Sequence, residues 1–135
     1  MPDGDYLERW FRHTRGLRSG TLREPIRVRG IEDRHLGPRW SRASVSAVVE
    51  PAEHLDVVFQ LPAEDLDRAH SEGFSDWAVF GFLDVLLTAR DYPITRIRLV
   101  IHDLGIDPVD SSPMAFRRAG RAAARQLLDQ ANLTF

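Results

Sequence analysis

The alternation of apolar and polar positions predicts strands in the first half of the chain. Isoleucine and valine alternate with arginine at residues 24–32, and valine and alanine alternate with serine at 42–50. A period of two is typical of strands with one buried face. Gly37-Pro38 marks a turn between these two strands. A third strand is expected at 55–61, joined to the second as a hairpin.

The second half of the chain predicts helices around a fourth strand. A helical turn is expected at 63–69 and the main helix at 75–90, with Ser75 as its N-cap. A strand at 94–102 and a last helix at 113–130 follow. The main helix is apolar on nearly all sides, so we expect more than one neighbour to cover it. The predicted order is β-β-β-α-β-α.

These elements form one predicted domain at residues 24–135, preceded by an extension at 1–23. The extension is expected to contain a short amphipathic helix, because Tyr6, Trp10 and Phe11 fall at helical spacing. These aromatic side chains would cover the main helix. A second copy of the chain in a homodimer would cover it equally well, and both alternatives are open at this point.

The stretch before the last helix is a well-formed helix start. Ser112 is a good N-cap, because its hydroxyl can accept a hydrogen bond from the first turn. Pro113 follows at a position where a missing N–H costs nothing. Asp110 adds negative charge near the positive end of the helix. Met114 and Phe116 are expected at core positions.

This stretch and its surroundings resemble the fourth domain of bacterial elongation factor G and its ribosome-protection relatives. The resemblance is carried by a strand that opens with Tyr92-Pro93, by the run Val109-Asp110-Ser111-Ser112-x-Met114-Ala115-Phe116, and by the small residues of 119–123. It is close over residues 92–128 and architectural over 24–91. It implies an α+β fold, a two-layer α/β sandwich with a left-handed crossover.

In that family the first hairpin loop and the loop before the last helix form a tip that touches messenger and transfer RNA. The resemblance therefore implies an RNA-binding end in this chain. The hairpin loop here keeps one glycine, and Asp107 stands where the bacterial factor carries histidine. A carboxylate there would repel RNA phosphate. The candidate RNA-binding residues are Arg34, Arg39, Trp40, Arg42, Gly105 and Asp107, and the family motif residues are Asp110, Ser111, Ser112, Met114 and Phe116.

Arginine placement supports an RNA-binding end. Residues 1–42 hold ten arginines and six acids, 43–93 hold two and ten, and 94–135 hold six and four. A basic region can bind a polyanion even in a chain whose net charge is −2. We therefore expect the ribosome or structured RNA as partner. The alternative is a protein-interaction or oligomerisation module that kept the scaffold and lost the RNA-contacting tip.

Several functions are not expected from the sequence. There is no phosphate-binding loop motif, so GTP binding is not expected, and the 135 residues leave no room for a further nucleotide-binding domain. Cysteine is absent, and the five histidines show no metal-ligand spacing, so we expect neither a metal nor another cofactor. No signal peptide or membrane span is recognisable, which predicts a cytoplasmic protein. No catalytic arrangement stands out, and we expect a protein that is not an enzyme.

Asp84 is the one acidic residue inside the apolar part of the main helix. Two alternatives are open for it: a buried carboxyl, whose pKa burial would raise, or, as is more common, a carboxylate that faces water or an arginine.

Overall fold

The computed structural model describes Tyr6 and residues 19–89 and 92–135. In this part of the chain, alternate side chains of a four-stranded sheet face a layer of helices. Two further short strands form a separate ladder. The elements are β1 (Thr21–Leu22), β2 (Ile26–Leu36), β3 (Arg39–Pro51), β4 (Asp56–Phe59), α1 (Ala63–Ser71), α2 (Phe74–Leu86), β5 (Ile97–Ile106), α3 (Pro113–Gln130) and β6 (Leu133–Thr134).

The large sheet has the strand order β2-β3-β5-β4. β2 and β5 both pair antiparallel with β3, while β4 pairs parallel with β5. The predicted order β-β-β-α-β-α and the α+β class are confirmed. The predicted hairpin between the second and third strands is wrong, because β5 lies between β3 and β4 and takes the hydrogen bonds of both. The left-handed sense of the crossover stays a prediction.

The ends of the described domain are tied together by the small ladder. β1 pairs antiparallel with β6, and Leu22 is buried in the core. Gly20 bridges to Ile94. Residues 20–22 of the predicted extension are thus joined to the domain. Tyr6 is 64% exposed, and Trp10 and Phe11 lie outside the described residues.

Two details of the helices differ from the sequence prediction. The main helix begins at Phe74 after Gly73, whose φ of 80° only glycine adopts easily, so Ser75 is not its cap. Ser75 is instead buried, and its Oγ lies 2.7 Å from Nδ1 of His70. Met114 is 39% exposed and is not a core residue. The reason is its place in the first turn of α3, whose buried face begins with Ala115 and Phe116.

Helix α3 lies in direct backbone contact with its neighbours on two sides. A Cβ atom on Gly30 of β2 would collide with the carbonyl oxygen of Ala119 in α3. A Cβ on Gly81 of α2 would collide with the carbonyl of Arg117, and one on Gly120 with that of Ala78. Glycine at these positions therefore sets the distance from α3 to both neighbours.

Asp84 holds the outer side of the α2–α3 contact. Its carboxylate accepts hydrogen bonds from Nε and Nη2 of Arg117 and from Nε of Arg121, each at 2.7 Å. The bond from Arg117, followed by the effect of Arg121, lowers the pKa of Asp84 from 3.8 to about 2. Of the two alternatives for Asp84, the more common one, a carboxylate that faces an arginine, is therefore confirmed, and the buried carboxyl with a raised pKa is wrong.

We expect Gly120→Ala to lower the free energy of unfolding by about 1–3 kcal/mol through overpacking. This expected loss is opposite in sign to the effect of helix propensity, which alone would favour alanine by about 1 kcal/mol. Urea titration measures the effect, with Gln130→Ala at the exposed end of α3 as a control that should be neutral. A stabilised Gly120→Ala variant would show that α2 and α3 do not touch at this point.

We expect Asp84→Asn to remove a pH-dependent part of the stability. A carboxyl with a lowered pKa stabilises the fold above its ordinary pKa of 3.8 and loses this effect as the pH falls towards 2. The shift corresponds to about 2 kcal/mol. The stability difference between wild type and variant should therefore be present at neutral pH, shrink below about pH 4 and be lost as the pH falls through about 2. Denaturant titrations across this range measure it, and a constant difference would contradict the assignment.

Candidate nucleic-acid interface at the hairpin tip

The hairpin of β2 and β3 extends beyond the rest of the sheet. The two strands pair without interruption from Ile26–Val49 to Leu36–Arg39, leaving Gly37 and Pro38 as a two-residue turn. Gly37 has a φ of 65°, and proline at the next position excludes a type I′ turn, which favours type II′. Pairing with β5 stops at Ala43–Ile106. We call residues 32–42 of the hairpin, with the loop 107–112, the tip.

The loop 107–112 packs beside β3 where β5 has ended. The backbone N–H of Arg42 donates to the carbonyl of Asp110 at 3.0 Å. The hydroxyl of Ser111 donates to the carbonyl of Arg42 at 2.6 Å and accepts from the N–H of Asp107 at 2.8 Å. The two loops predicted to form the functional end are therefore fixed to each other.

Asp107 closes its own loop. Its Oδ1 accepts hydrogen bonds from the backbone N–H groups of Asp110 at 2.8 Å and Val109 at 2.9 Å. These two bonds, the one from Asp110 first, lower the pKa of the Asp107 carboxyl. The carboxylate is thus ionised at neutral pH. It holds the loop together, a structural role that was not predicted from the sequence.

Helix α3 starts directly after this loop. Ser112 is its N-cap, as expected, because its Oγ accepts from the N–H of Ala115 at 3.1 Å and Pro113 occupies the first turn. Phe116 is fully buried and stacks on Phe74 with the ring centroids 4.7 Å apart. The motif residues therefore fix the end of the loop to the core.

Trp40 lies in a short stack on the hairpin. Its ring centroid is 3.5 Å from that of His35, and the guanidinium carbon of Arg42 lies 4.4 Å from the indole centroid. His35 and Trp40 are opposite each other in the strand register. The indole remains 36% exposed, so it is held in place by its neighbours and still reaches solvent.

Most of the positive charge at the tip is already paired. Arg42 approaches Asp33 at 3.2 Å and Asp110 at 3.8 Å, and Arg34 approaches Glu32 at 3.2 Å. Arg39 is exposed and forms no ion pair with any described residue. The predicted basic residues therefore divide into two paired arginines and one guanidinium that is free of acidic partners within the described chain.

A cavity of about 450 Å³ lies where the hairpin meets the loop. Its lining residues are Leu36, Arg39, Trp40, Ser41, Val109, Asp110, Ser111 and Ser112. Arg42, Gly105 and Asp107 line a neighbouring cavity of about 330 Å³. Gly105 lies within β5 opposite Ser44, although the sequence placed it in the loop. Arg34 lines neither cavity.

The apolar rim of the tip was not predicted from the sequence. Val109 is 87% exposed and Leu36 46% exposed, on either side of the larger cavity. An aliphatic residue near a turn is a weak sequence signal, because the same residue type at such a position can be exposed or can pack at the edge of the core. Only the register of the hairpin shows that Leu36 lies beyond the core.

Within the described residues, no group of three or more histidine, aspartate or glutamate side chains is arranged to hold a metal ion. No described helix has the length and apolar character needed to cross a membrane.

The comparisons with known proteins agree with this geometry. Residues 88–132, which contain β5, the loop and α3, match the family model of elongation factor G, domain IV. The chain is 29% identical over 113 residues to elongation factor G 2 of Syntrophus aciditrophicus (strain SB), an alignment that covers 78% of this chain and 16% of the relative. The chain resembles domain IV of elongation factor G.

The fold is also found in a solved crystal structure of a protein from Thermus thermophilus. The TM-score is 0.74 at 15% sequence identity, with 85% of this chain and 17% of the other chain covered. The chain thus spans about a sixth of the length of each of these two proteins. The segment that matches the domain IV model includes the loop 107–112 but begins at residue 88, after the β2–β3 hairpin, so the hairpin part of the tip lies outside it.

We expect Ser111→Ala to loosen the tip, because this hydroxyl links the loop to β3. Loss of its two hydrogen bonds should cost about 1–2 kcal/mol in urea titration. Ser71→Ala is the matched control, since its hydroxyl also donates to a backbone carbonyl but is exposed at the end of α1. That variant should change stability by less than about 0.5 kcal/mol. Equal effects of the two would mean that the loop is not fixed by Ser111.

Proposed function

We propose that this chain is a translation-related protein that binds unpaired RNA, on the ribosome in the first place, through the tip. The resemblance to domain IV of elongation factor G supports a role in translation. The main support for RNA binding is that the hairpin and the loop enclose one cavity, which Trp40 and Arg39 both line. The proposed activity is binding and includes no catalytic step.

The charges at the tip favour a particular binding mode. Arg34 and Arg42 already pair with acids, so Arg39 is the main group left for a phosphate. Stacking of a base on the aromatic group at Trp40 then supplies much of the affinity, at about 1–3 kcal/mol per base. We therefore expect binding that depends only weakly on salt, unlike that of a basic patch.

The cavity lining suits a nucleotide whose base is unpaired. Leu36 and Val109 offer apolar contacts, and the carboxylate of Asp110 offers a hydrogen-bond acceptor. The Ser41 hydroxyl also lines the cavity, but it is buried and already donates to Glu32. Bases that are splayed out of a helix present both an apolar face and polar edges. Asp107 bonds the backbone of its own loop, so its predicted repulsion of phosphate acts beside this cavity, not inside it.

A protein partner at the tip is the competing function. The exposed side chains of Leu36 and Val109 favour it, because aliphatic groups contribute little to RNA recognition. This alternative corresponds to an interaction module on the same scaffold. It predicts that the chain binds a protein surface, on the ribosome or elsewhere, and that isolated RNA does not bind.

The first test measures single-stranded RNA and ribosome binding by wild type and Arg39→Ala over a salt series. Each phosphate contact contributes about −0.7 to the slope of log affinity against log salt for a single strand. Arg39→Ala should weaken binding and remove about one such contact. Arg27→Ala is the matched control, because Arg27 is also exposed and has no ion pair with a described residue, but lies opposite Val48 at the end of the hairpin away from the tip. It should bind like wild type.

Trp40→Ala separates stacking from charge. We expect it to weaken RNA binding by about 1–3 kcal/mol without changing the salt slope, because stacking releases no counterions. Thermal melting checks that the variant is folded. If Arg39→Ala and Trp40→Ala both bind ribosomes and RNA like wild type, the RNA proposal is wrong. If isolated RNA never binds and Val109→Ser alone weakens ribosome binding, the protein alternative is correct.

A further inference from the structure

His35 lies in direct contact with the proposed stacking group of the tip, although it is not among the residues predicted from the sequence. It is opposite Trp40 in the register of the hairpin, and the two ring centroids are 3.5 Å apart. The imidazole is exposed and forms no hydrogen bond or ion pair with any described residue. Within the described chain, both of its ring nitrogens are therefore available to a ligand that approaches Trp40.

The tip carries more negative than positive charge when its histidine is neutral. It includes three arginines and four acids. Beside the stack, Asp33 on the same strand and Asp110 in the loop both approach Arg42, so this arginine is already neutralised. Asp107, in the same loop, is ionised as well. Apart from Arg39, the described residues of the tip thus offer no unpaired cation to a polyanion.

Protonation of His35 changes this balance. Histidine ordinarily gains its proton between about pH 8 and pH 5, whereas carboxylates keep their charge down to about pH 4 and arginine stays protonated. His35 is the only histidine in the tip. With a proton on its ring, the tip has as many positive as negative groups, and the imidazolium can donate from both ring nitrogens.

Given the proposed function, on which this step rests, we propose that His35 is a second phosphate contact of the tip, formed only when the imidazole is protonated. A base that stacks at Trp40 is joined to its phosphate through one sugar, so the phosphate would lie beside the stack. The imidazolium touches the stack and has no acidic partner in the described chain. RNA binding is then stronger in acid, and the proton comes from the solvent.

The competing explanation is that the imidazole only supports the indole ring. A neutral ring in contact with Trp40 would restrict the indole at any pH. Replacing the imidazole would then weaken RNA binding equally in acid and at neutral pH. The two explanations therefore differ in the pH dependence of binding and not in its presence.

The first test measures binding of an oligouridylate by fluorescence anisotropy at about pH 7.5 and about pH 5.5, on either side of the ordinary histidine range. Uracil gains no proton between these values, so a change in affinity reports on the protein. The wild type should bind about fivefold more tightly in acid, as for one ion contact at about 4 Å in water. Its salt slope should also become steeper by about 0.7.

Variants at position 35 separate the charge from the ring. His35→Gln should bind like wild type at neutral pH and lose the gain in acid. His35→Arg, with a permanent charge, should bind at both pH values as tightly as the wild type does in acid. His54→Gln is the matched control, because His54 is also exposed but lies in the β3–β4 connection. It should keep the wild-type pH dependence, and melting temperatures check that all variants are folded.

Calorimetry in buffers of different ionisation heat counts the protons taken up on binding. The wild type should take up part of a proton per RNA between these pH values, and His35→Gln none. Equal wild-type affinity at both pH values, or a His35→Gln variant that keeps the gain in acid, would overturn the role of His35 and leave the proposed function intact. Equal weakening of His35→Gln at both pH values would show that the ring only supports Trp40. If RNA binds at neither pH, the proposed function and the role of His35 are both wrong.

Discussion

The close approach of α3 to its two neighbours is the constraint on which the rest of the structure depends. Gly30 lets the backbone of α3 touch β2, and Gly81 and Gly120 let it touch α2. With α3 fixed on two sides, the position of its first turn is fixed as well. Ser112 caps that turn, and the preceding Ser111 is bonded to β3. The geometry of the tip therefore follows from packing between glycines some distance away.

The tip that results is balanced in charge and rich in apolar surface. Arg34 and Arg42 each have an acidic partner, and Asp107 is bound by its own loop. A surface of this kind gains little from long-range attraction to RNA, because the opposite charges of its ion pairs largely cancel each other. The proposed binding of RNA would then depend on shape, on stacking and on the guanidinium of Arg39, which has no acidic partner in the described chain. This differs from the basic end that the arginine count alone indicates.

Much of the fold follows from patterns that act over short distances. The alternation in β2 and β3, the Gly37-Pro38 turn and the cap at Ser112 are local, and each agrees with the structure. The insertion of β5 between β3 and β4 is a pairing between distant segments, which no local pattern specifies. The same is true of Asp84, because its charge state depends on two arginines more than 30 residues away.

The site was predictable to a similar degree. The resemblance identified its two loops, and two of the candidate residues, Arg39 and Trp40, line the cavity between them. Which arginine is free could not be deduced, because ion pairing depends on side chains that meet only in the folded hairpin.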